Sequence, residues 1–233
     1  MRILNFIITL TILMAWNIQA ADKPLRALLV TGGCCHDYAK QKDILKQGLE
    51  RRLNIIIDHA HSDDKSTNPP LPIFGKPNYA KGYDVVIHDE CAADMKNPEI
   101  IAGVIAPHLK GIPGVNLHCA MHSYRFGDYR KPVKLGAANA KWFEYIGLQS
   151  TGHGPQQPIE IKFENNVPFI TKGLENWTTQ REELYNNIAV FPKAKIVARG
   201  IQGNRKAVVA WTNDFDGTRV FGTSIGHNNV TVA

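Results

Sequence analysis

The run Leu25-Arg26-Ala27-Leu28-Leu29-Val30 is apolar except for one arginine, and Thr31-Gly32-Gly33 ends it abruptly. The same pattern returns at Ile55-Ile56-Ile57, at Tyr83-Asp84-Val85-Val86-Ile87 and at Gly114-Val115-Asn116-Leu117. Short apolar runs bounded by turn residues predict strands buried on both faces. Between them the spacing becomes helical. Lys40 to Leu53 carries Ile44, Leu45, Leu49 and Leu53, and Ile100, Ile101, Val104, Ile105 and Leu109 follow Asn97-Pro98. Proline suits the first turn of a helix, where its missing N–H costs nothing. Strands alternating with helices predict a mostly parallel sheet covered by helices on both faces. The carboxyl ends of such strands gather along one edge, where open α/β sheets bind ligands.

The second half is less regular. Trp142 to Ile146 reads as a short helix and Thr151-Gly152-His153-Gly154-Pro155 as a tight loop. Ile159-Glu160-Ile161-Lys162-Phe163 alternates as a strand with one wet face does. Glu182-Glu183-Leu184-Tyr185 opens another extended region, and Ile196–Ala198, Ala207–Trp211 and Val220–Ser224 are three further strands. Asp214-Phe215-Asp216-Gly217 is a hairpin signal. These strands predict a partly antiparallel extension of the sheet. His61 to Gly82 is long for a connection and rich in Pro, Asp and Asn. Such a segment is either a binding loop or a packed excursion. The whole of 21–233 reads as one domain.

Residues 1–20 differ from the rest. Arg2 precedes an almost wholly apolar stretch from Ile3 to Trp16, and small residues at Ala20-Ala21 offer a cleavage point. This is signal-peptide anatomy, and the apolar stretch is short of the ~20 residues a spanning helix needs. The expectation is a secreted or periplasmic protein, cut after Ala20 and free of the membrane thereafter. The net charge of +6 is spread without a basic run, which argues against nucleic acid as a partner. Cysteines stand at 34, 35, 91 and 119, a spacing that matches no zinc CxxC pair. Cys34 and Cys35 are adjacent, and a bridge between neighbours demands unusual geometry.

Chemistry-bearing residues sit where the predicted strands end. His36 follows the first strand, His88, Asp89, Glu90 and Cys91 close the third, and His118, Cys119 and His122 follow the fourth. His227 follows the last strand, and His153 lies in the glycine-flanked loop. Imidazoles beside carboxylates suit general acid–base work or a divalent metal, with zinc the default for histidine ligands. His118 and His122 are four apart, which on an α-helix puts both on one face. With His36 they make the expected ligand set. No HExxH occurs. Cys119, at a strand-to-helix turn, reads as a buried packing residue, the alternative being a nucleophile. Trp142, Trp177 and Trp211 can stack on a sugar ring or fill the core.

Several of these residues, taken in order, resemble the ThuA-like (trehalose utilisation) family. They are Leu28-Leu29-Val30-Thr31-Gly32 with His36, Gly114 to Ala120, Gly152-His153, Glu182-Glu183-Leu184-Tyr185, Ala210-Trp211, and Arg219-Val220-Phe221-Gly222-Thr223-Ser224-Ile225-Gly226-His227. The resemblance implies a flavodoxin-like, class I glutamine amidotransferase-like fold and a role in metabolism of disaccharides or their keto forms. Carried over, the family's functional positions fall on His118, His153, Glu183 and His227. The expected substrate contacts are Trp211, Tyr185, Glu90 and Arg125, and the expected partner is a small sugar. The amidotransferase nucleophile pattern and its downstream His-x-Glu are missing, which argues against glutaminase activity. Hydrolysis, isomerisation and elimination remain, as does a non-catalytic carbohydrate- or partner-binding module. Similar proteins continue into a closing helix after Gly226-His227, so a shortened carboxyl terminus is expected here.

Overall fold

A computed structural model describes residues 23–233. Residues 1–22, which include the expected signal peptide, lie outside the described residues. The elements follow the sequence as β1 (Leu25–Gly33), α1 (Tyr38–Glu50), β2 (Ile55–Ser62), β3 (Val85–Cys91), α2 (Pro98–Leu109) and β4 (Gly114–Leu117). A 3₁₀ turn, His118–His122, leads away from β4. Then come α3 (Lys141–Ile146), β5 (Leu148–Gln157), β6 (Glu160–Phe163), α4 (Pro168–Thr171), β7 (Trp177–Thr178), β8 (Glu182–Val190), β9 (Lys195–Gln202), β10 (Arg205–Phe215), β11 (Thr218–Thr223) and α5 (Asn229–Val232).

Nine strands form one sheet in the order β2-β1-β3-β4-β11-β10-β9-β6-β7. The pairs from β2 to β11 are parallel, and those from β11 to β7 are antiparallel. This is the mostly parallel sheet with an antiparallel extension that the alternation predicts. The hairpin between β10 and β11 turns on Asp216 (φ 49°) and Gly217 (φ 85°). Two successive positive φ values match the right-handed twist of the flanking strands.

Period-two alternation in β1 sends its side chains to two cores. Ala27 and Leu29 pack with Ile57, Ile87 and, from α1, Leu45 and Leu49. Leu28 and Val30 face Val86, Ile101, Val104, Ile105, Trp142 and Phe143. α2 starts as its sequence requires: the Asn97 side chain accepts from the N–H groups of Glu99 and Ile100, with Pro98 behind it. The long connection after β2 is no detached flap, since Leu71, Ile73 and Ala80 are buried in the second core.

Thr151–Pro155 departs from expectation. It lies inside β5, which pairs with β8 as a separate two-stranded sheet whose register shifts between Ser150, His153 and Gln156. Gly152 and Gly154 let the strand bulge while staying paired, so a segment read as a turn is an irregular strand.

Two expected substrate contacts belong to the core. Trp211 is fully buried, its Nε1 donates to Ile146 O at 2.6 Å, and its ring fills the space a side chain at Gly222 would occupy. Glu90 is equally buried: its Oε1 faces His88 Nδ1 at 2.9 Å and accepts from the Tyr124 hydroxyl at 2.7 Å. A polar side chain in that position satisfies a buried neighbour and is shut off from solvent. Beyond it, His88 Nε2 lies 3.2 Å from His108 Nε2, and His108 Nδ1 donates to Ile112 O at 2.7 Å.

Burial, with His88 adding to it, lowers the pKa of His108 to about 3. The folded chain thus refuses a proton that the unfolded chain accepts near pH 6.5. Stability must therefore fall as pH drops from 6.5 toward 3, by about 1.4 kcal/mol per pH unit for one proton. Urea titrations across that range should show a slope that His108→Asn makes shallower by about one proton; an unchanged slope refutes the assignment. Trp211→Ala should cost about 3–5 kcal/mol by the same measurement, and a near-neutral effect would return Trp211 to the surface role.

Candidate functional site

Four chain segments meet at the carboxyl edge of the parallel strands. β4 ends in an elbow where His118 stands at φ 41°. A non-glycine residue in that region costs about 1–3 kcal/mol and persists only where surroundings hold it. Sharp strand-to-helix turns of this kind present a nucleophile in α/β-hydrolases; here the apex carries an imidazole. His118 Nδ1 donates to Ser224 O at 2.7 Å, tying the elbow to the end of β11. Gly226, at φ 142° and with its Cβ position 3.4 Å from His118 Cβ, turns the chain back over that ring.

His36 and His227 complete the group. His36 Nδ1 donates to His227 O at 3.0 Å, and Gln41 Nε2 donates to the same carbonyl at 3.2 Å. The His227 N–H is held by Glu182, at 3.0 Å from Oε1 and 3.2 Å from Oε2. The rings of His36 and His118 are 4.7 Å apart, those of His36 and His227 4.8 Å. One ligand atom from each of the three imidazoles lies within 4.8 Å of the other two. A carbonyl can only accept, so each Nδ1 bonded to one carries the hydrogen. In the neutral tautomer the Nε2 lone pairs of His36 and His118 are free. Burial, then the neighbouring His118, lowers the pKa of His36 to about 3, so it is neutral at physiological pH.

Glu183 supplies the negative charge. Its carboxylate lies 3.6 Å from His118 Nε2, 3.5 Å from His153 Nδ1 and 3.4 Å from His227 Nδ1. Burial pushes its pKa up, but the close imidazoles of His118, His227 and His153 outweigh that and hold it below the usual carboxylate range. The same contact with Glu183 raises the pKa of His227 against the effect of burial. His118 Nε2 and His227 Nδ1 have no closer polar partner among the described residues. A lone pair facing a carboxylate is repulsive, so the arrangement calls for a positive charge between them. At about 4 Å and an effective dielectric near 20, one such charge is worth about 4 kcal/mol. A proton or a cation supplies it.

The site opens into a cleft of about 760 Å³, walled by His36 and His227 and rimmed by Asp63, Lys65, Gln156 and Arg181. His153 is half exposed, its side chain 44% accessible, beside this group. His118, His153, Glu183 and His227 therefore come together, and His36 joins them.

Other expected residues stand apart. His122 is no member of the imidazole triad; its Nε2 pairs with Ser150 Oγ at 2.9 Å and its ring stacks on Tyr185 at 4.3 Å. The cause is the 3₁₀ turn. At three residues per turn a four-residue step rotates about 120°, against about 40° in an α-helix, so the two histidines diverge. Tyr185 is buried beneath the rings of His118, His122 and His153 and forms the floor of the site, away from the cleft surface. Arg125 is half-buried over the Tyr129 ring, 4.5 Å from its centre, and lies outside the cleft wall. Glu182 and Gln41 carry no sequence signal of their part in the site, because both act on the His227 backbone. Cys119 is buried, and contact with Cys91, then burial, raises its pKa.

A parallel sheet extended by antiparallel strands, with a histidine elbow at its carboxyl edge, defines a glutamine amidotransferase-like α/β protein. The chain belongs to the ThuA family, described as trehalose utilisation, whose model matches residues 26–233. Among solved structures it is similar to a ThuA-like protein from Parabacteroides merdae (19% identity, TM-score 0.67, covering 90% of this chain and 82% of that one). It is also similar to a ThuA-like protein from Bacteroides uniformis (14%, TM-score 0.62, 93% and 88%). A GMP synthase component from Thermoplasma acidophilum shares the fold at 11% identity and TM-score 0.50, over 87% and 83%. At these identities the likeness is one of fold. No curated protein sequence matches the chain significantly.

Burial leaves the Cys119 thiol out of reach of reagents in the cleft. Iodoacetamide applied to the native chain should leave Cys119 unlabelled, with labelling only after denaturation. Rapid native labelling accompanied by loss of activity would restore the nucleophile.

Proposed function

We propose that this chain is an exported, metal-assisted enzyme acting on a sugar or keto-sugar. The observation that carries the reading is the convergence of His36, His118 and His227 within 4.8 Å beside the Glu183 carboxylate. The donors fit a divalent ion of the zinc type. Ligating imidazoles usually donate their other nitrogen to a carbonyl or carboxylate. His36 does so to His227 O and His118 to Ser224 O. Bound there, the ion would act as a Lewis acid toward a hydroxyl or carbonyl oxygen.

The remaining chemistry falls to the chain's own groups. Glu183, held as a carboxylate, accepts a proton from the substrate. Glu183 then returns that proton to solvent or to a leaving oxygen, while His153, half exposed and with its Nδ1 hydrogen on Gly154 O at 2.9 Å, offers its free Nε2 to a substrate hydroxyl. Glu182 and Gln41 fix the His227 backbone, which sets where its ring enters the site. The cleft is within the size range of small-ligand sites, and its mixed carboxylate, amide and cationic rim suits sugar hydroxyls, which both donate and accept. Membership in a trehalose-utilisation family supports a carbohydrate substrate. Arg2, the apolar stretch to Trp16 and Ala20 support export.

Elemental analysis of the purified chain should find about one zinc-type ion per chain. Chelation should abolish turnover of disaccharides or keto-sugars, and His118→Ala should lower ion occupancy at least ~10-fold, as loss of one of three ligands implies. A metal-free preparation whose activity is indifferent to chelation removes the metal from the mechanism.

A further inference from the structure

The cysteines, scattered in sequence, meet in space. Cys34 and Cys35 follow β1 and are bonded to each other. Cys91 closes β3 and Cys119 is the second residue of the β4 elbow; both are free and buried. The Cys91 sulfur lies 3.6 Å from that of Cys34 and 2.6 Å from that of Cys119. The Cys34, Cys35 and Cys91 sulfurs cluster within 4.8 Å of one another, and the group reaches from Cys35, exposed on the cleft wall, to Cys119 in the interior. This group of sulfurs adjoins the imidazole group on two loops, since Cys35 precedes His36 and His118 precedes Cys119.

We propose that these cysteines form an internal thiol–disulfide exchange couple, which passes one bridge from Cys34–Cys35 to Cys91–Cys119. Exchange proceeds by thiolate attack on a disulfide sulfur through a mixed disulfide. Cys91 Sγ attacks Cys34 Sγ, the Cys34–Cys35 bond breaks, and Cys35 leaves as the thiolate. Cys119 Sγ then attacks Cys91 Sγ, the Cys34–Cys91 bond breaks, and Cys34 leaves. One disulfide and two thiols enter and one disulfide and two thiols emerge, so no outside oxidant is consumed. The protons of Cys91 and Cys119 end on Cys34 and Cys35.

Contact precedes each step, and a turn of the exposed Cys35 side chain brings the Cys34–Cys35 bond into line with Cys91. Cys91 stands in contact with Cys34 before any motion. Cys91 and Cys119, both free, are in direct contact. The covalent tie leaves the loop that carries His36 and fastens the end of β3 to the elbow that carries His118. The cleft-facing pair meets solvent reagents, and the interior pair keeps the bridge from them.

The test uses the full chain, reduced and then treated with one equivalent of diamide. Samples are quenched in acid over time, alkylated after denaturation and mapped by mass spectrometry. Loss of the Cys34–Cys35 bridge should match gain of Cys91–Cys119, with a first-order constant unchanged over a tenfold range of protein concentration. Cys119→Ser should trap a Cys34–Cys91 bridge, and Cys91→Ser should leave Cys34–Cys35 in place throughout. Persistence of Cys34–Cys35 in the unaltered chain, with Cys91 and Cys119 both alkylated, overturns the proposal. So does absence of any Cys34–Cys91 bridge in Cys119→Ser, or a bound metal ion that protects all four cysteines from alkylation.

Discussion

The hydrogen bond from His118 to Ser224 O holds the site together, and it exists because β4 and β11 pair in parallel. β11 returns from the antiparallel extension and inserts beside β4, so two segments 106 residues apart leave the sheet side by side. One presents the His118 elbow, and the other lays Gly226 and His227 over it. β1 ends on the same edge and contributes His36, whose Nδ1 reaches the His227 carbonyl. Removing that pairing would scatter the imidazoles, although each strand could still form. The strain at His118 is tolerable for the same reason. Its ring is fixed at Nδ1 from one side and packed against Tyr185 from another, so the elbow cannot relax without losing both contacts.

The second sheet supplies the charge. The start of β8 meets the segment that follows β11, and its first two residues address the same histidine in different ways. Glu182 holds the His227 backbone N–H, and Glu183 faces the ring nitrogens. The irregular register of β5 against β8 brings His153 opposite Tyr185, and its ring comes within reach of Glu183. A regular strand would turn every second side chain to the same face. The bulges break that rule and aim a rim histidine at the carboxylate.

This division explains what could be read from the sequence. The parallel half was legible because its strands are buried on both faces and its helices amphipathic, so period and burial agree. His36, His118 and His227 were legible as strand-end residues, and His153 and Glu183 through the family pattern. His122 falls outside the imidazole group because spacing alone cannot tell the 3₁₀ turn found here from an α-helix. Trp211 and Glu90 looked like surface chemistry because nothing near them in sequence names their partners. Gly222 and Ile146 enclose the one, and His88 and Tyr124 satisfy the other, all brought there by tertiary packing. Glu182 is illegible beside its neighbour, since a backbone N–H leaves no trace in the sequence of the residue that holds it.

The loops that carry the histidines also carry the cysteines, and the fold separates the two chemistries by direction. At the end of β1, Cys35 and His36 are adjacent; at the end of β4, His118 and Cys119 are. In each pair one side chain joins the imidazole group and the other joins the group of sulfurs. Neither loop can shift without moving a member of both. A change in the bonding of the sulfurs therefore acts on the positions of His36 and His118 through one peptide link on each side. The carboxyl edge of this sheet holds an acid–base group and a thiol group on shared backbone, and the geometry of either constrains the other.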